Sequence, residues 1–208
     1  GVIALLSEGG DVLSNRVGGT IELVHVATRT PKPEVDTLGA RDSRDVFDVA
    51  RDPDVDVLIE LIGGTTVAKD LVVEALNHGK HVVTANKALL ADHFEELFAL
   101  AESKGVALRF EAAVAGGIPV IEAVKTSLAG NHVSSVAGII NGTGNFILTE
   151  MAAKGREFSD VLAEAQALGY AEADPTFDVD GTDAAQKLVL LSSLCLLYTS
   201  DAADEERG

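Results

Sequence analysis

The 208-residue sequence holds one cysteine, about half as many basic as acidic residues and no long apolar run, and each shortage removes a class of function. A lone Cys195 cannot close an internal disulfide, so a disulfide-stapled secreted scaffold is excluded and a reducing cytoplasm is the expected setting. Lysines and arginines number 16 against 33 aspartates and glutamates, giving a formal charge of −17 with no basic cluster. Nucleic-acid binding needs a basic face that releases counterions, so no nucleic-acid partner is expected. The longest nearly uncharged apolar run is eleven residues from Leu188, well short of the roughly 20 that a helix needs to cross a bilayer. No membrane span is expected. The start shows neither a methionine nor a basic segment leading into an apolar stretch and a cleavage site. At the other end "CLLYTSDAADE", from Cys195, resembles a translated sequencing adapter, and 195–208 are expected to be a non-native tail.

What is present is enough apolar material, 47% of residues, to bury a core. Strand and helix patterns alternate through the first half, which predicts an α/β fold: a partial Rossmann-type, doubly wound parallel sheet over 1–110. Strands are expected at "IELVHVA" from Ile21, "VDVLIELI" from Val55, "HVVTA" from His81 and "VALRFE" from Val106, with apolar faces suited to helices on both sides. Between them, Val67, Leu71, Val72, Ala75 and Leu76 form one helical stripe, closed by Gly79. Leu90, Phe94, Leu97, Phe98 and Ala101 form another, closed by Gly105. "GVIALL" at the start reads as helix already, so the first strand and glycine loop of a dinucleotide-binding unit are expected to be missing.

After about Glu111 the texture changes. "AAVAGGIPVIEAVKTSLAG" predicts a glycine turn and a helix, "VSSVAGII" a strand, and "NGTGNF" a glycine-rich loop before a helix near Ile147 to Lys154. Another helix is expected from Asp160 to Leu168, stopped by Gly169.

Three loops follow first-half strands directly: Thr28, "GGTT" at Gly63, and Asn86. Such residues make ordinary turns, but three together at strand ends point to a nucleotide site. Thr28 and Arg29 stand where an NAD site usually places an acid, and an arginine there suits a 2′-phosphate, which favours NADP and leaves NAD open. Lys87 opens a helix, where the macrodipole opposes a cation by roughly 0.3 to 1 kcal/mol, so a phosphate or substrate carboxylate is expected beside it.

The stretch "GYAEADPTFDVDGTDAAQK" carries five acids, Glu172, Asp174, Asp178, Asp180 and Asp183, within twelve positions. A calcium loop fails, because aligning Gly181 with its sixth position puts Thr176 first and Lys187 twelfth, where a bidentate glutamate belongs. Turn and cap roles account for Asp174 before Pro175 and for Asp180. They do not account for Lys187, which shares a helix face with Leu190, Leu191 and Leu194 and with Asp183 one turn earlier. Acids beside a lysine on an apolar stripe suit a zwitterion: carboxylates for an α-ammonium, lysine or backbone N–H groups for a carboxylate. The expected partner is a small amino acid.

The motifs "ELIGGT", "GKHVVTANKALL", "RFEAAVAGGIP", "GIINGTGNFIL" and "ALGYAEADPTFDVDGTDAAQKL" occur in the order they have in homoserine dehydrogenase, which the chain resembles from Gly1 to Leu194. The resemblance implies NAD(P)-dependent interconversion of L-homoserine and L-aspartate 4-semialdehyde, in threonine and methionine biosynthesis. It implies an α+β substrate and dimerisation domain over 111–194, and a homodimer of the full-length protein. By motif position Lys187 would move the proton, with Asp183 beside it and Lys87 touching cofactor and substrate. Glu172, Asp178 and Asp183 would hold homoserine, with Tyr170 adjacent, and Thr65 and Gly169 would lie against the cofactor. A monovalent cation, sodium, would sit on Glu111, Val114, Gly116 and Ile118, largely through carbonyls. The family's usual "NGT(C/T)NY" is here "NGTGNF", with Gly144 and Phe146. Other readings of the residues are another Rossmann-type amino-acid dehydrogenase, a non-catalytic nucleotide sensor and a cation-binding structural module.

Overall fold

The structure, a computed structural model, describes residues 1–197. The expected non-native tail falls outside the described residues from 198 on. The fold is α/β, in two compact units: Gly1–Val83 with Glu95–Arg109, and Thr84–Phe94 with the chain from Phe110 onward.

In the first unit α1 (Val2–Val17) ends at Gly18, whose φ of 73° lets its N–H turn back to the Ser14 carbonyl. Strand β1 (His25–Ala27) pairs in parallel with β2 (Arg41–Ser43), with His25 opposite Arg41. The short helix α2 (Val46–Arg51) is capped by the Asp45 carboxylate, which accepts from the Phe47 N–H. A second sheet runs β3 (Val57–Glu60), β4 (His81–Thr84), β5 (Leu108–Arg109), with β4 and β5 parallel and Val82 opposite Leu108. Helix α3 (Val67–Asn77) lies between β3 and β4 in the chain and buries Leu71, Val72, Ala75 and Leu76 of the expected stripe, while Val67, in its first turn, is exposed.

Three expectations need correcting. The strand from Ile21 shrinks to three residues because its partner β2 is only three residues long, so Ile21, Leu23 and Val24 line an open cavity instead. Strand β3 is covered on one face only among the described residues: Leu58 and Glu60 are buried, whereas Val57 and Ile59 are 49% and 44% exposed. β2 and α2 carry too few apolar residues to show a period. The stripe from Leu90 to Ala101 belongs to α4 (Lys87–Lys104), which leaves helical geometry at His93, φ −134°.

Lys80, just before β4, is buried with its ammonium, which donates to the carbonyls of Asp52 (2.5 Å) and Val55 (2.7 Å). The Asp52 carboxylate in turn bonds His25 Nδ1 at 2.7 Å and accepts from Arg41 at 2.5 Å. Together these bonds hold the chain between α2 and β3 against the first sheet's strands. Replacing Lys80 by methionine keeps the stem and removes a donor from both carbonyls, leaving that of Asp52 only the Val55 N–H. The expected cost is about 1–2 kcal/mol, read as a lower urea midpoint at unchanged slope.

The second unit, among its described residues, consists of helices and loops. A 3-10 turn at Glu111–Ala113 leads to α5 (Val120–Glu122), which widens into a π turn over Ala123–Ser127. Then follow α6 (Gly142–Lys154), α7 (Phe158–Ala167), α8 (Thr176–Val179) and α9 (Thr182–Ser192). Helices α6 and α7 close over Ile147, Val161, Ala165 and Ala171, with Phe146, Met151 and Leu162 at the edge. "VSSVAGII" is not a strand. It finds no ladder partner among the described residues, and Val136 and Ile139 stand exposed. "NGTGNF" is not a loop either, because Asn141 caps α6 and Gly142 to Phe146 form its first turns.

Candidate functional site

Helix α9 starts from Gly181, whose φ of 83° is a left-handed turn that a side chain would strain. Asp183 falls in the first turn and Lys187 one turn later on the same face, above the buried Leu190 and Leu191. Lys187 Nζ donates to Asp183 Oδ2 at 2.6 Å and to the Ile140 carbonyl at 2.7 Å. Lys87, at the start of α4, reaches Asp183 Oδ1 at 3.0 Å. The anion that the structure places beside that helix start is the chain's own Asp183 rather than the phosphate or substrate carboxylate expected there.

Asn141 completes the cluster. Its Oδ1 accepts from the Gly144 N–H at 2.6 Å, the N-cap bond of α6. Its Nδ2 donates to Asp178 Oδ1 at 2.7 Å and to Asp183 Oδ2 at 2.9 Å. Burial works to raise the Asp183 carboxyl, but the hydrogen bonds from Lys187, Asn141 and Lys87 outweigh it and hold the group at about 2. Asp183 therefore stays ionised throughout the neutral range and keeps two ammonium groups on one carboxylate. Among the described residues two of the three Lys187 donors are engaged, which leaves one for an incoming oxygen.

A cavity of about 700 Å³ opens beside this cluster. Asn141, Asp178, Asp183 and Lys187 form its polar wall, and Gly169, Tyr170 and Phe146 another part of its lining. Thr143 Oγ1 donates to the Tyr170 carbonyl at 2.6 Å, and the Tyr170 ring meets Phe146 edge-on at 5.1 Å. Gly169, φ 76°, turns the chain out of α7 into this wall.

The structure thus gathers Lys187, Asp183, Lys87, Asp178, Tyr170 and Gly169. It does not bring the Glu172 side chain into the cavity lining: Glu172 is exposed, and its backbone carbonyl accepts from Gln166 Nε2 at 3.1 Å. Asp174 and Asp180 serve turns, accepting from the N–H groups of Thr176 and Thr182, as expected. Asn141 was missed. An asparagine immediately before "GTG" and an apolar run is an N-cap signal, but its second set of bonds reaches 37 and 42 residues along the chain.

Arg29 and Thr65 lie in the first unit. Arg29 is exposed; Thr65 follows Gly63 and Gly64, which both adopt left-handed φ, 75° and 74°. The buried Glu60 carboxylate holds that turn, accepting from the N–H groups of Ile62 (2.8 Å) and Gly63 (3.1 Å). Glu111 uses its carboxylate on the start of α5, accepting from Ile121 N–H at 3.0 Å and Glu122 N–H at 2.9 Å. In the loop between them Ala115 and Gly116 are both left-handed, φ 59° and 57°.

The family model for the homoserine dehydrogenase NAD-binding domain matches residues 1–111, and the one for homoserine dehydrogenase matches 119–206. Among curated proteins, the chain is 57% identical to a homoserine dehydrogenase of Pseudomonas aeruginosa and 50% identical to one of Neisseria gonorrhoeae, over 93% of its own length in each case. It spans about 45% of the length of both. Among solved structures, the homoserine dehydrogenase of Thiobacillus denitrificans superposes with a TM-score of 0.84 at 50% identity, over 91% of this chain and 44% of that one. A hyperthermophilic archaeal homoserine dehydrogenase in complex with NADPH gives 0.68 at 29% identity, over 74% of this chain and 47% of that one.

Proposed function

The chain belongs to the homoserine dehydrogenase family, and we propose that the protein carrying it interconverts L-homoserine and L-aspartate 4-semialdehyde with NAD(P)(H). The observation that carries this reading is the Asp183–Lys187 pair on the wall of one cavity with Asp178, with Lys87 paired to the same Asp183 carboxylate.

In the reductive direction the Lys187 ammonium gives a proton to the carbonyl oxygen as it becomes a hydroxyl; in the oxidative direction the lysine takes that proton back. Asp183 aims the lysine and stabilises its charge. Asp178, with Glu172 carried on the adjoining exposed loop, receives the α-ammonium of the amino acid. Lys87 meets the substrate carboxylate or the cofactor, and Tyr170 and Gly169 bound the site. A bound nicotinamide cofactor would supply the hydride chemistry.

The first-unit residues fit such a cofactor. Gly63 and Gly64 have open space where a side chain would stand, so backbone can approach a ligand closely. Thr65 follows them, and Arg29 offers an exposed guanidinium for a 2′-phosphate, which supports NADP over NAD. For sodium, Glu111, Val114, Gly116 and Ile118 remain our candidate ligands; the paired left-handed residues Ala115 and Gly116, which turn the backbone sharply between them, support that assignment. We extend the reading to a nucleotide part over 1–110, a substrate part over 111–194, and a cytoplasmic homodimer of the full-length protein, all resting on the family resemblance.

The test is absorbance at the nicotinamide band with the full-length protein. Homoserine is expected to drive reduction of the cofactor and aspartate is not. Cofactor binding without a homoserine-dependent change would mean a nucleotide sensor instead.

A further inference from the structure

Asn141 makes three bonds that no other amide orientation allows. Its oxygen receives a backbone N–H and its two amide hydrogens go to two different carboxylates. Turning the amide over would set oxygen against Asp178 and Asp183 and an NH₂ against the Gly144 N–H, so three attractions would become three repulsions. The same side chain that starts α6 therefore also spans α8 and α9.

This matters because Asp178 and Asp183 are like charges on neighbouring short elements. Asp183 has two cationic partners, Lys87 from α4 and Lys187 from α9. Among the described residues Asp178 has no cation in contact, and Asn141 is the side chain bonded to it. Without a shared donor, mutual repulsion would swing Asp178, on the four-residue α8, away from the cavity.

We propose that Asn141 is a positioning residue that locks Asp178 and Asp183 at one spacing, so that the carboxylate reading the substrate ammonium and the carboxylate aiming the proton-transferring lysine move as a unit. The inference rests on the reading of this cavity as the homoserine site. In this role Asn141 acts through the two acids.

Capping and bridging separate cleanly by substitution. Serine and aspartate rank with asparagine as N-caps, so Asn141→Ser and Asn141→Asp both keep the α6 cap and are expected to fold. Serine lacks the amide that reaches both acids, and aspartate puts a third carboxylate against them. Asn141→Ser is expected to raise the KM for L-homoserine by about tenfold, the worth of one hydrogen bond to a charged group. Asn141→Asp is expected to do worse, although it is the closer isostere. A role in capping alone predicts the reverse order, since a carboxylate at a helix start is favourable.

The second readout is independent of turnover: the carboxyl ¹³C titration of Asp183 in the chain itself. Loss of the Asn141 donor raises its midpoint in Asn141→Ser, and the added charge raises it further in Asn141→Asp. Wild-type KM and an unmoved Asp183 midpoint in both variants would overturn the proposal. Should Lys187→Ala leave turnover intact, the catalytic reading of the cavity falls, while the Asp183 titration still decides whether Asn141 ties the acids together.

Discussion

Replacing Lys187 by alanine is expected to lower kcat for homoserine oxidation by about a hundredfold or more, with the protein still folded. The size follows from the step removed. A positioned general acid or base contributes about 10²–10⁴-fold, and the proposed reading gives that role to the lysine that Asp183 and the Ile140 carbonyl hold in the cavity wall. Folding survives because alanine suits a helix interior and Lys87 and Asn141 still pair the Asp183 carboxylate; the losses are the Lys187 bond to Asp183 and one donor to the part-buried Ile140 carbonyl, together about 1–3 kcal/mol. Binding of the substrate ammonium is assigned to Asp178, so KM is expected to change less than kcat. Lys187→Arg sharpens the test: it restores a cation near Asp183 but not an exchangeable proton, because guanidinium does not deprotonate in proteins. Arginine restoring most of kcat would reduce the lysine to an electrostatic role. Unchanged kcat in the alanine variant would remove Lys187 from the chemistry.

The reach of sequence reasoning here tracks the range of the interaction. The lysine and aspartate on α9 were legible because they lie four residues apart on a stripe whose other members, Leu190 and Leu191, are buried. The turns at Asp174 and Asp180 were legible because each acid bonds a residue two positions on. β2 was not: Arg41, Asp42 and Ser43 form a strand only because His25, Val26 and Ala27 offer them a parallel edge, and nothing local in a polar triplet says so. The reverse error at 133–140 has the same root, because an apolar stretch without a partner edge has no ladder to join. Glu111 shows a third kind of limit. Its carboxylate is spent on N–H groups ten and eleven residues ahead, a geometry set by the intervening left-handed pair Ala115 and Gly116.

Asp183→Asn is expected to combine the largest loss of stability in the second unit with a fall in kcat of about tenfold to a hundredfold. The asparagine keeps the volume and removes the charge on which Lys87, Lys187 and Asn141 all converge. Two ammonium groups then face each other around a neutral amide, and Lys187 is no longer aimed. The stability term can be bounded from the carboxyl itself, which sits at about 2 against an ordinary value near 4. Each unit is worth about 1.4 kcal/mol, so with modest discount for the site's partial exposure the expected loss is about 2 kcal/mol at neutral pH. The sign sets a second, sharper outcome. A carboxyl depressed in the folded state contributes fully above its unfolded value, near pH 4, and loses that contribution as pH falls towards 2. The gap in unfolding free energy between wild type and Asp183→Asn should therefore be flat from pH 7 to about 5 and narrow as the solution is acidified below 4. A gap that stays constant down to the lowest pH at which both proteins remain folded would mean that the asparagine acts through packing, and that Asp183 is not the anion on which the two lysines depend.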